Sequence, residues 1–533
     1  MTLSLKPYWL ILPLCGLTAC TTLGPDFIGP QPLALPASWT QDDTQQAQND
    51  TALWWQQFHD PVLNQLVEQA GAQNLDLEAA GLRILQARSL LGVADGLQYP
   101  QVQTVSGNLT RLYQNENSFN NAAVSFDAGW EMDVWGKYAR GIESAQATYY
   151  ASITSYQDIM ITVTAEVARN YINYRTFQER ILLSQRNIEI QERVVNITQV
   201  QYDSGNVTEL DVQQAKNQLY TTKAALPSLE IAKRQARNAL AVLLGVLPEE
   251  VLPLLDGNNL SAKLAAYEAK FKATGSKQAL SGDDSDSLVP RPPQLQTAIN
   301  ANLVMRRPDL QVAELQARAQ SAQIGIAQSA LYPSFSLFGS IGINSTVPDG
   351  SSFSFSDSLT LAAGPTFSWN IFQYGRVKNN IRYEDARFQE TLTNYNKKVL
   401  QAVQEVTNAI DAYDLYLQQK ALRLQSVNAS IRAFNISMTQ YENGQISFER
   451  LLNSVEKMTR SEDSYAQIKG NVANQVVALY KALGGGWQAY SGKPFVNDDL
   501  AKQMSERTDW KGTLAPEARV LPHVQSVNMR EVQ

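Results

Sequence analysis

Two hydrophobic periods run along this chain, and each occurs twice. Period-2 alternation marks Ala122 to Val134: Ala122, Val124, Phe126, Ala128, Trp130, Met132 and Val134 are apolar, and Ser125, Asp127, Gly129, Glu131 and Asp133 lie between them. It recurs from Leu359 to Ile371, in Phe335, Leu337, Ile341 and Ile343, and less regularly over Gln101–Tyr113. Polar loops at about 114–121 and 345–357 separate the two members of each pair. Segments of about 11–13 residues suit tilted membrane strands better than soluble hairpins, and Trp130, Trp135, Trp369 and Phe372 sit near their ends as interfacial aromatics would.

The second period is 3.5. From Tyr395 it runs Val399, Ala402, Val406, Ala409, Tyr413, Tyr416, then Lys420, Arg423, Val427, Ser430, Phe434, Ser437 and Tyr441. An equivalent seam runs from Val167 through Tyr174, Ile181, Ile188 and Val195 to Tyr202. Such heptads predict coiled-coil packing, and their polar members suit helices packed side by side around a wet interior. Two helices of about 65 residues, at about 139–202 and 376–441, would each reach about 100 Å. Shorter ones are expected at about 62–97, 208–244, 294–331 and 447–483, stacked end to end in pairs, with a kink at Pro227.

The two sets form one unit written twice. Tyr99-Pro100 returns as Tyr332-Pro333, 233 positions on; Asp133-Val134-Trp135 as Asn370-Ile371-Phe372, 237 on; Tyr202-Asp203-Ser204-Gly205 as Tyr441-Glu442-Asn443-Gly444, 239 on; and Leu244-Gly245 as Leu483-Gly484, again 239. The expected organisation is a signal peptide over 1–19, a lipidated N-terminal segment over 20–61, and a first repeat over 62–255 reading helix, two strands, long helix, turn, helix. A flexible acidic connection follows over 256–293, then a second repeat over 294–487 and a tail over 488–533 without usable periodicity. Four strands cannot close a sheet in lipid, where open edges leave backbone groups unsatisfied, so closure requires several copies. Two would give a nearly filled barrel of eight, three a bored one of 12.

Composition narrows the chemistry. The 533 residues carry 44 Lys+Arg against 51 Asp+Glu, a net −7, which disfavours nucleic acid as a partner. No apolar run after the N-terminus reaches the roughly 20 residues of a spanning helix. The first residues read as a signal segment, with Lys6 before an apolar run from Trp9 to Leu17. Leu17-Thr18-Ala19-Cys20 resembles the bacterial lipobox, so Cys20 is expected to carry a covalent lipid after cleavage, and Thr21 favours sorting to the outer membrane. Cys15 is the only other cysteine, and His59 and His523 are the only histidines. No thiol nucleophile, Cys-based metal site or other cofactor is expected, and no convergent catalytic set is visible, so the chain is read as a non-enzyme.

Taken together the motifs resemble the TolC-like outer-membrane efflux proteins, in their lipoprotein OprM/NodT branch. The likeness begins at Gly24-Pro25-Asp26-Phe27 with Pro30 and Trp39, and continues through Trp54-Trp55, Phe58, Asp60-Pro61, Leu63 and Asn74. It extends through Trp130-Glu131-Met132-Asp133-Val134-Trp135-Gly136, Arg306-Arg307-Pro308-Asp309 with Glu314, and Leu483-Gly484-Gly485-Gly486-Trp487, covering about 24–487. The fold this implies is mainly α with membrane β: a long α-helical barrel continuous with a 12-stranded β-barrel, formed by a homotrimer. The implied role is the outer-membrane exit duct of a tripartite system, passively conducting small molecules such as drugs or toxic compounds from periplasm to exterior. Its implied partners are two further copies, a periplasmic adaptor and a proton-driven inner-membrane transporter. A protein-secretion duct and a structural coiled-coil lipoprotein are the alternatives.

Two turns are the candidate docking sites. Tyr202, Gly205, Val207 and Thr208 end one long helix and begin its return; Tyr441, Gly444, Ile446 and Ser447 do the same in the second copy. The glycines suit left-handed helix caps, and Thr208 and Ser447 suit N-caps. By resemblance these turns form the periplasmic tip that meets the adaptor. The branch's aromatic constriction falls on Phe434, for which a heptad-core role is equally open. Its acidic constriction falls on Ile446, which cannot carry charge, leaving a hydrophobic constriction as the alternative.

Overall fold

A computed structural model describes residues 21–30, 51–114, 117–256, 287–295, 304–348, 350–354, 356 and 358–521, with the single positions 265 and 269. Its helices are α1 (Pro61–Gln73), α2 (Leu75–Gly96), α3 (Lys137–Asp203), α4 (Glu209–Leu244), the single turn α5 (Leu252–Leu255), α6 (Pro308–Ser329), α7 (Arg376–Glu442), α8 (Phe448–Ala482) and α9 (Asp498–Arg507). The strands are β1 (Val102–Gln114), β2 (Asn117–Met132), β3 (Ser334–Pro348) and β4 (Leu359–Ser368). The chain divides into a sheet unit, Met1–Leu33 with Leu82–Thr154 and Asp309–Lys398, and a helical unit, Ala34–Gly81 with Ser155–Pro308 and Val399–Gln533. No helix among the described residues is long and apolar enough to cross a membrane.

In the sheet unit the four strands pair antiparallel in the order β1-β2-β3-β4. The alternation becomes two unlike faces. On one, Val105, Leu109, Val124, Phe126, Leu337, Ile341, Leu361 and Phe367 stand exposed. The other is largely a polar ladder, interrupted by Val102, Leu112, Phe119 and Phe338. There Asn121 donates to Asn344 (2.7 Å) and Thr346 (2.9 Å) and accepts from Asn108 (3.2 Å). An apolar face open to its surroundings, backed by a hydrogen-bonded polar one, is the reverse of a soluble core and fits lipid outside and water inside. The expected loops are shorter than anticipated. Ser118 to Asn121 pair with Tyr113 to Thr110, and Ser345 to Pro348 pair with Ala122 to Phe119, so polar side chains continue the strands. At the other end the strands stop at Met132 and Ser368, short of Val134 and Ile371.

The strand-to-helix junction explains two of the motifs. Asp133 accepts from the Ala139 N–H (2.8 Å), Trp135 donates to the Pro333 carbonyl (2.8 Å), and Lys137 pairs with Glu131 (3.0 Å). The N-terminal segment lies against this corner. Leu23 N–H donates to Trp135 O (3.1 Å), and the buried Arg140 donates to Leu23 O (3.0 Å), Gly24 O (3.3 Å) and Asp26 (2.7 Å). Gly24 approaches Gly325 so closely that a Cβ on it would lie 2.5 Å from the Gly325 Cα. Phe27 meets Phe388 edge-on at 6.4 Å.

In the helical unit two expected helices are broken. The one at 62–97 divides at Asn74, whose side chain accepts from the Leu77 N–H (3.0 Å) and donates to the Leu243 carbonyl (2.8 Å) at the end of α4. The one at 294–331 is non-helical at 294–295, helical at Val304 and Met305, and interrupted at Arg306 and Arg307 before α6 begins at Pro308. Proline lacks an N–H and biases the residue before it away from the helix. Arg307 at that break donates to the Ala482 carbonyl (2.8 Å), near the end of α8. Arg307 follows Asn74 by 233 and Ala482 follows Leu243 by 239, so both repeats make one junction, with an amide in the first and a guanidinium in the second. α4 runs uninterrupted through Pro227.

The connection and the tail also differ from expectation. Most of 256–293 lies outside the described residues, but its end is pinned rather than flexible. Leu288 and Val289 are buried, Glu179 accepts from the Ser287 hydroxyl (2.8 Å) and the Leu288 N–H (3.2 Å), and Lys469 pairs with Glu179. The tail is built through residue 521. Tyr490 donates to the Val67 carbonyl (2.8 Å), Arg519 donates to Leu514 O (2.9 Å) and Val496 O (2.8 Å), and Pro494 bridges Val520. Trp54 stacks on Tyr480 at 5.4 Å, so the Trp54-Trp55 motif is core.

Candidate functional site

The two turns are built alike. α3 and α7 are each 67 residues long, and both their starts and their ends lie 239 positions apart. Gly205 stands at φ +75° and Gly444 at φ +71°. Gly205 N–H donates to Tyr202 O (2.8 Å) and Asn206 N–H to Gln201 O (2.8 Å); Gly444 N–H donates to Tyr441 O (3.0 Å) and Gln445 N–H to Gln440 O (2.8 Å). This paired closure satisfies the last carbonyls of each long helix and needs a residue tolerant of the left-handed region. The returning helices start differently. Thr208 and Ser447 hold the N-cap positions expected of them; the Thr208 N–H and hydroxyl both donate to Asp211 (2.9 Å each), whereas Ser447 makes no side-chain cap bond.

Tertiary surroundings separate the two turns further. Tyr441 is 2 % exposed: it meets Phe448 edge-on at 5.8 Å, its hydroxyl donates to Thr198 (3.5 Å), and burial pushes that hydroxyl's pKa up. Tyr202, its counterpart, is 40 % exposed. Ile446 packs against the core while Val207 is half-buried. The turns adjoin each other: Gln201 donates to Tyr441 O (3.5 Å), and Arg193 pairs with Glu442 (3.3 Å).

Phe434 is a core residue. At 2 % exposure it sits in a cluster with Val427, Ile431, Tyr441, Leu451 and Val455, on the seam its heptad position marks. Further along the same seam lies Glu462, fully buried, accepting from Asn187 (3.0 Å) and facing Arg186 (3.4 Å). Burial raises its pKa, against the opposing pull of Arg186 and Asn187. Cys20 lies outside the described residues.

One residue absent from the sequence expectations stands out on the polar face of the sheet. Asp127 accepts hydroxyl bonds from Ser125 (2.9 Å) and Ser340 (2.6 Å). The sequence signal was available: it is a carboxylate in the polar phase of an alternating strand.

Comparison with known proteins bears on the whole arrangement. The family described as "Outer membrane efflux protein" matches residues 66–246 and 301–485, one match per repeat. The pyoverdine export outer membrane protein OpmQ of Pseudomonas putida is 28% identical over 503 residues, spanning 92% of this chain and 99% of that protein. The probable outer membrane lipoprotein SilC of Salmonella typhimurium is 24% identical, spanning 88% and 96%. The solved outer-membrane channel OprN superposes with a TM-score of 0.73 at 29% identity, covering 88% of this chain and all of that one. The shared fold is mainly α with a four-stranded sheet in each chain, the class expected from the sequence.

Proposed function

Since this chain belongs to the outer membrane efflux protein family and is an outer-membrane efflux channel, we propose that it works as the exit duct of a tripartite pump, with three copies closing one passage. The observation that carries this reading is the sheet. Among the described residues β1 and β4 each pair on one side only, and the sheet presents apolar side chains on one face and hydrogen-bonded polar ones on the other, which calls for closure by further copies. Three copies supply 12 strands around a polar bore. The helices then carry the passage into the periplasm, and small molecules such as drugs or toxic compounds cross it passively.

In this reading the Gly205 and Gly444 turns meet a periplasmic adaptor, which couples them to an inner-membrane transporter driven by protons. Cys20 carries the lipid that anchors the N-terminal segment. The docking of Leu23 to Asp26 at the strand-to-helix corner supports this, because the chain leaves that corner within a few residues of Cys20. Deletion of the gene, followed by a susceptibility and dye-accumulation panel, tests the function. Increased accumulation reversed by the restored gene is expected; an unchanged profile in a strain lacking parallel pumps would overturn it. Cys20→Ser should abolish palmitate labelling while native mass measurement still gives a trimer, since barrel closure holds the assembly.

A further inference from the structure

Both ends of the connection between the repeats are held by α3. The first repeat closes at Leu255, which is buried, and the Leu255 carbonyl accepts from Arg175 (2.7 Å). Arg175 also donates to the Tyr171 hydroxyl oxygen (3.1 Å) and to Gln178 (2.8 Å). The approach to the second repeat begins at Ser287. Glu179 accepts from the Ser287 hydroxyl (2.8 Å) and the Leu288 N–H (3.2 Å), and Lys469 of α8 donates to Ser287 (3.0 Å) while pairing with Glu179. Leu288 and Val289 are buried, and the Val289 N–H donates to the Ser287 hydroxyl oxygen (3.2 Å). Tyr413 of α7 then holds the Pro293 carbonyl (3.5 Å) and the Leu295 N–H (3.4 Å).

Arg175 and Glu179 stand one turn apart, about 6 Å along the axis of α3. Even at full reach of both side chains, the Leu255 carbonyl and the Ser287 hydroxyl lie within about 25 Å of each other, which about eight extended residues cover. The chain places 31 residues, 256–286, between them. That length bridges no corresponding distance in the fold. The positions 239 on from the two anchors are Asp414 and Gln418, so neither anchor is repeated in α7. They belong to the junction and not to the repeated pattern.

Elsewhere the repeats meet without help from the connection. In the sheet unit β2 pairs with β3 from Phe119–Pro348 to Met132–Phe335. In the helical unit α3 meets α8 through Asn173–Asn474 (2.8 Å), Arg180–Asp463 (2.7 Å) and Asn187–Glu462 (3.0 Å). Tyr480 and Tyr490, from the second half, donate to Gln57 (2.9 Å) and to the Val67 carbonyl (2.8 Å) in the first. We propose that the two repeats recognise each other as two separate polypeptides would, and that the covalent connection between them is dispensable. Ser287–Val289 is the plug by which the second repeat seats on Glu179 and Lys469, and residues 256–286 tolerate cutting and shortening. Because Arg175 fixes one end and Glu179 the other, each half keeps its own terminus in place when the chain between them is severed.

The test starts from the full-length lipidated protein with a recognition sequence for a site-specific protease inserted after Gly282, cut once the protein is folded and purified. Two fragments are expected on denaturing gels, with the native mass of the uncut protein retained and its conductance in planar bilayers unchanged. A second variant replaces 257–286 with about 15 glycine and serine residues, whose average reach is about 20 Å, and should support efflux as the original does. Ser287→Ala spares the Lys469–Glu179 pair. It should speed hydrogen exchange at the Val289 amide on the order of tenfold, as loss of one hydrogen bond implies, and leave the Leu255 and Asp256 amides unchanged. Fragments that part without denaturant would overturn the inference. So would a shortened chain that folds and no longer supports efflux, since 256–286 would then do more than join. The cut protein folds with its whole connection in place, so it decides independently of the shortened one. Equal acceleration at Leu255 and Asp256 would overturn the assignment of separate anchors.

Discussion

The Tyr202 and Tyr441 turns close with the same hydrogen bonds around the same left-handed glycine, yet one tyrosine stands in solvent and the other is buried. Local sequence therefore decides the shape of a turn, and the neighbour decides its burial. Where the chain supplies its own neighbour, at Thr198, the tyrosine is covered; where it does not, the tyrosine stays exposed. The proposed docking would engage both turns at once, so changes that treat the two copies unequally are the informative ones.

The largest expected effect comes from the feature the turns share. Nothing lies within 4 Å of a Cβ placed on Gly205 or Gly444, so valine there meets only the left-handed backbone, at about 1–2 kcal/mol. Each variant should remain abundant and trimeric in the outer membrane while losing efflux and adaptor crosslinking. Reduced abundance with normal pumping by the surviving protein would make these turns caps alone. The next effect separates the copies. Tyr441→Ala empties a buried site and should cost about 3–5 kcal/mol locally, whereas Tyr202→Ala should stay near 0.5 kcal/mol in the isolated chain. Hydrogen exchange at the ends of α3, α7 and α8 measures both, and equal losses of protection would erase the distinction.

A smaller effect depends on pH. Burial raises the pKa of Glu462 above its ordinary value of 4.5, so its proton is bound more tightly in the folded chain than in the unfolded one. The stability this contributes is complete below the ordinary value and is lost as pH rises through the folded value. Glu462→Gln should flatten that decline in α8 protection above pH 4.5, and an unaltered slope would remove Glu462 as its source. The smallest effect concerns the sheet. Asp127 belongs to the first copy, and the position 237 further on is Gly364, so a trimer would line its passage with three such carboxylates rather than six. Asp127→Asn should shift the reversal potential of reconstituted channels modestly toward anions; no shift in a salt gradient would exclude a role in ion preference.

Much of this architecture was legible because periods of 2 and 3.5 persist for many residues, and because a repeat lets each half check the other. The break at Asn74 was hidden, since the chain resumes its helix at once and the side chain bonds a distant helix end, whereas the break at Arg307 was marked by Pro308. Phe434 was ambiguous for a different reason. A heptad seam names the face of a helix but not what that face meets, and it is the packing with Val427, Leu451 and Val455 within the chain that buries the ring. The tail gave no usable period because its one described helix, α9, is ten residues long and buries only Ala501 and Met504, while hydrogen bonds of Tyr490, Phe495 and Arg519 anchor the turns on either side.

The equality of the two long helices carries a consequence for how the chain has been able to change since its halves were duplicated. Every residue added to or lost from a helix turns all that follow by about 100° about the axis. One deletion inside α3 would carry Arg193, Thr198 and Gln201 off the side that meets α7, and a matching deletion in α7 would not bring them back. The offset drifts from 233 to 237 to 239 across the segment that includes the hairpins and the corner at Gly136, and then stays fixed from the start of the long helices through the end of the returning ones. Between the two halves of this chain the side chains differ along these rods, as the different partners of Glu462 and Lys223 show, but the lengths of the long helices do not. A graft or insertion meant to extend the passage should therefore come in whole heptads, placed at matching positions in both long helices and with compensating turns in their stacked neighbours.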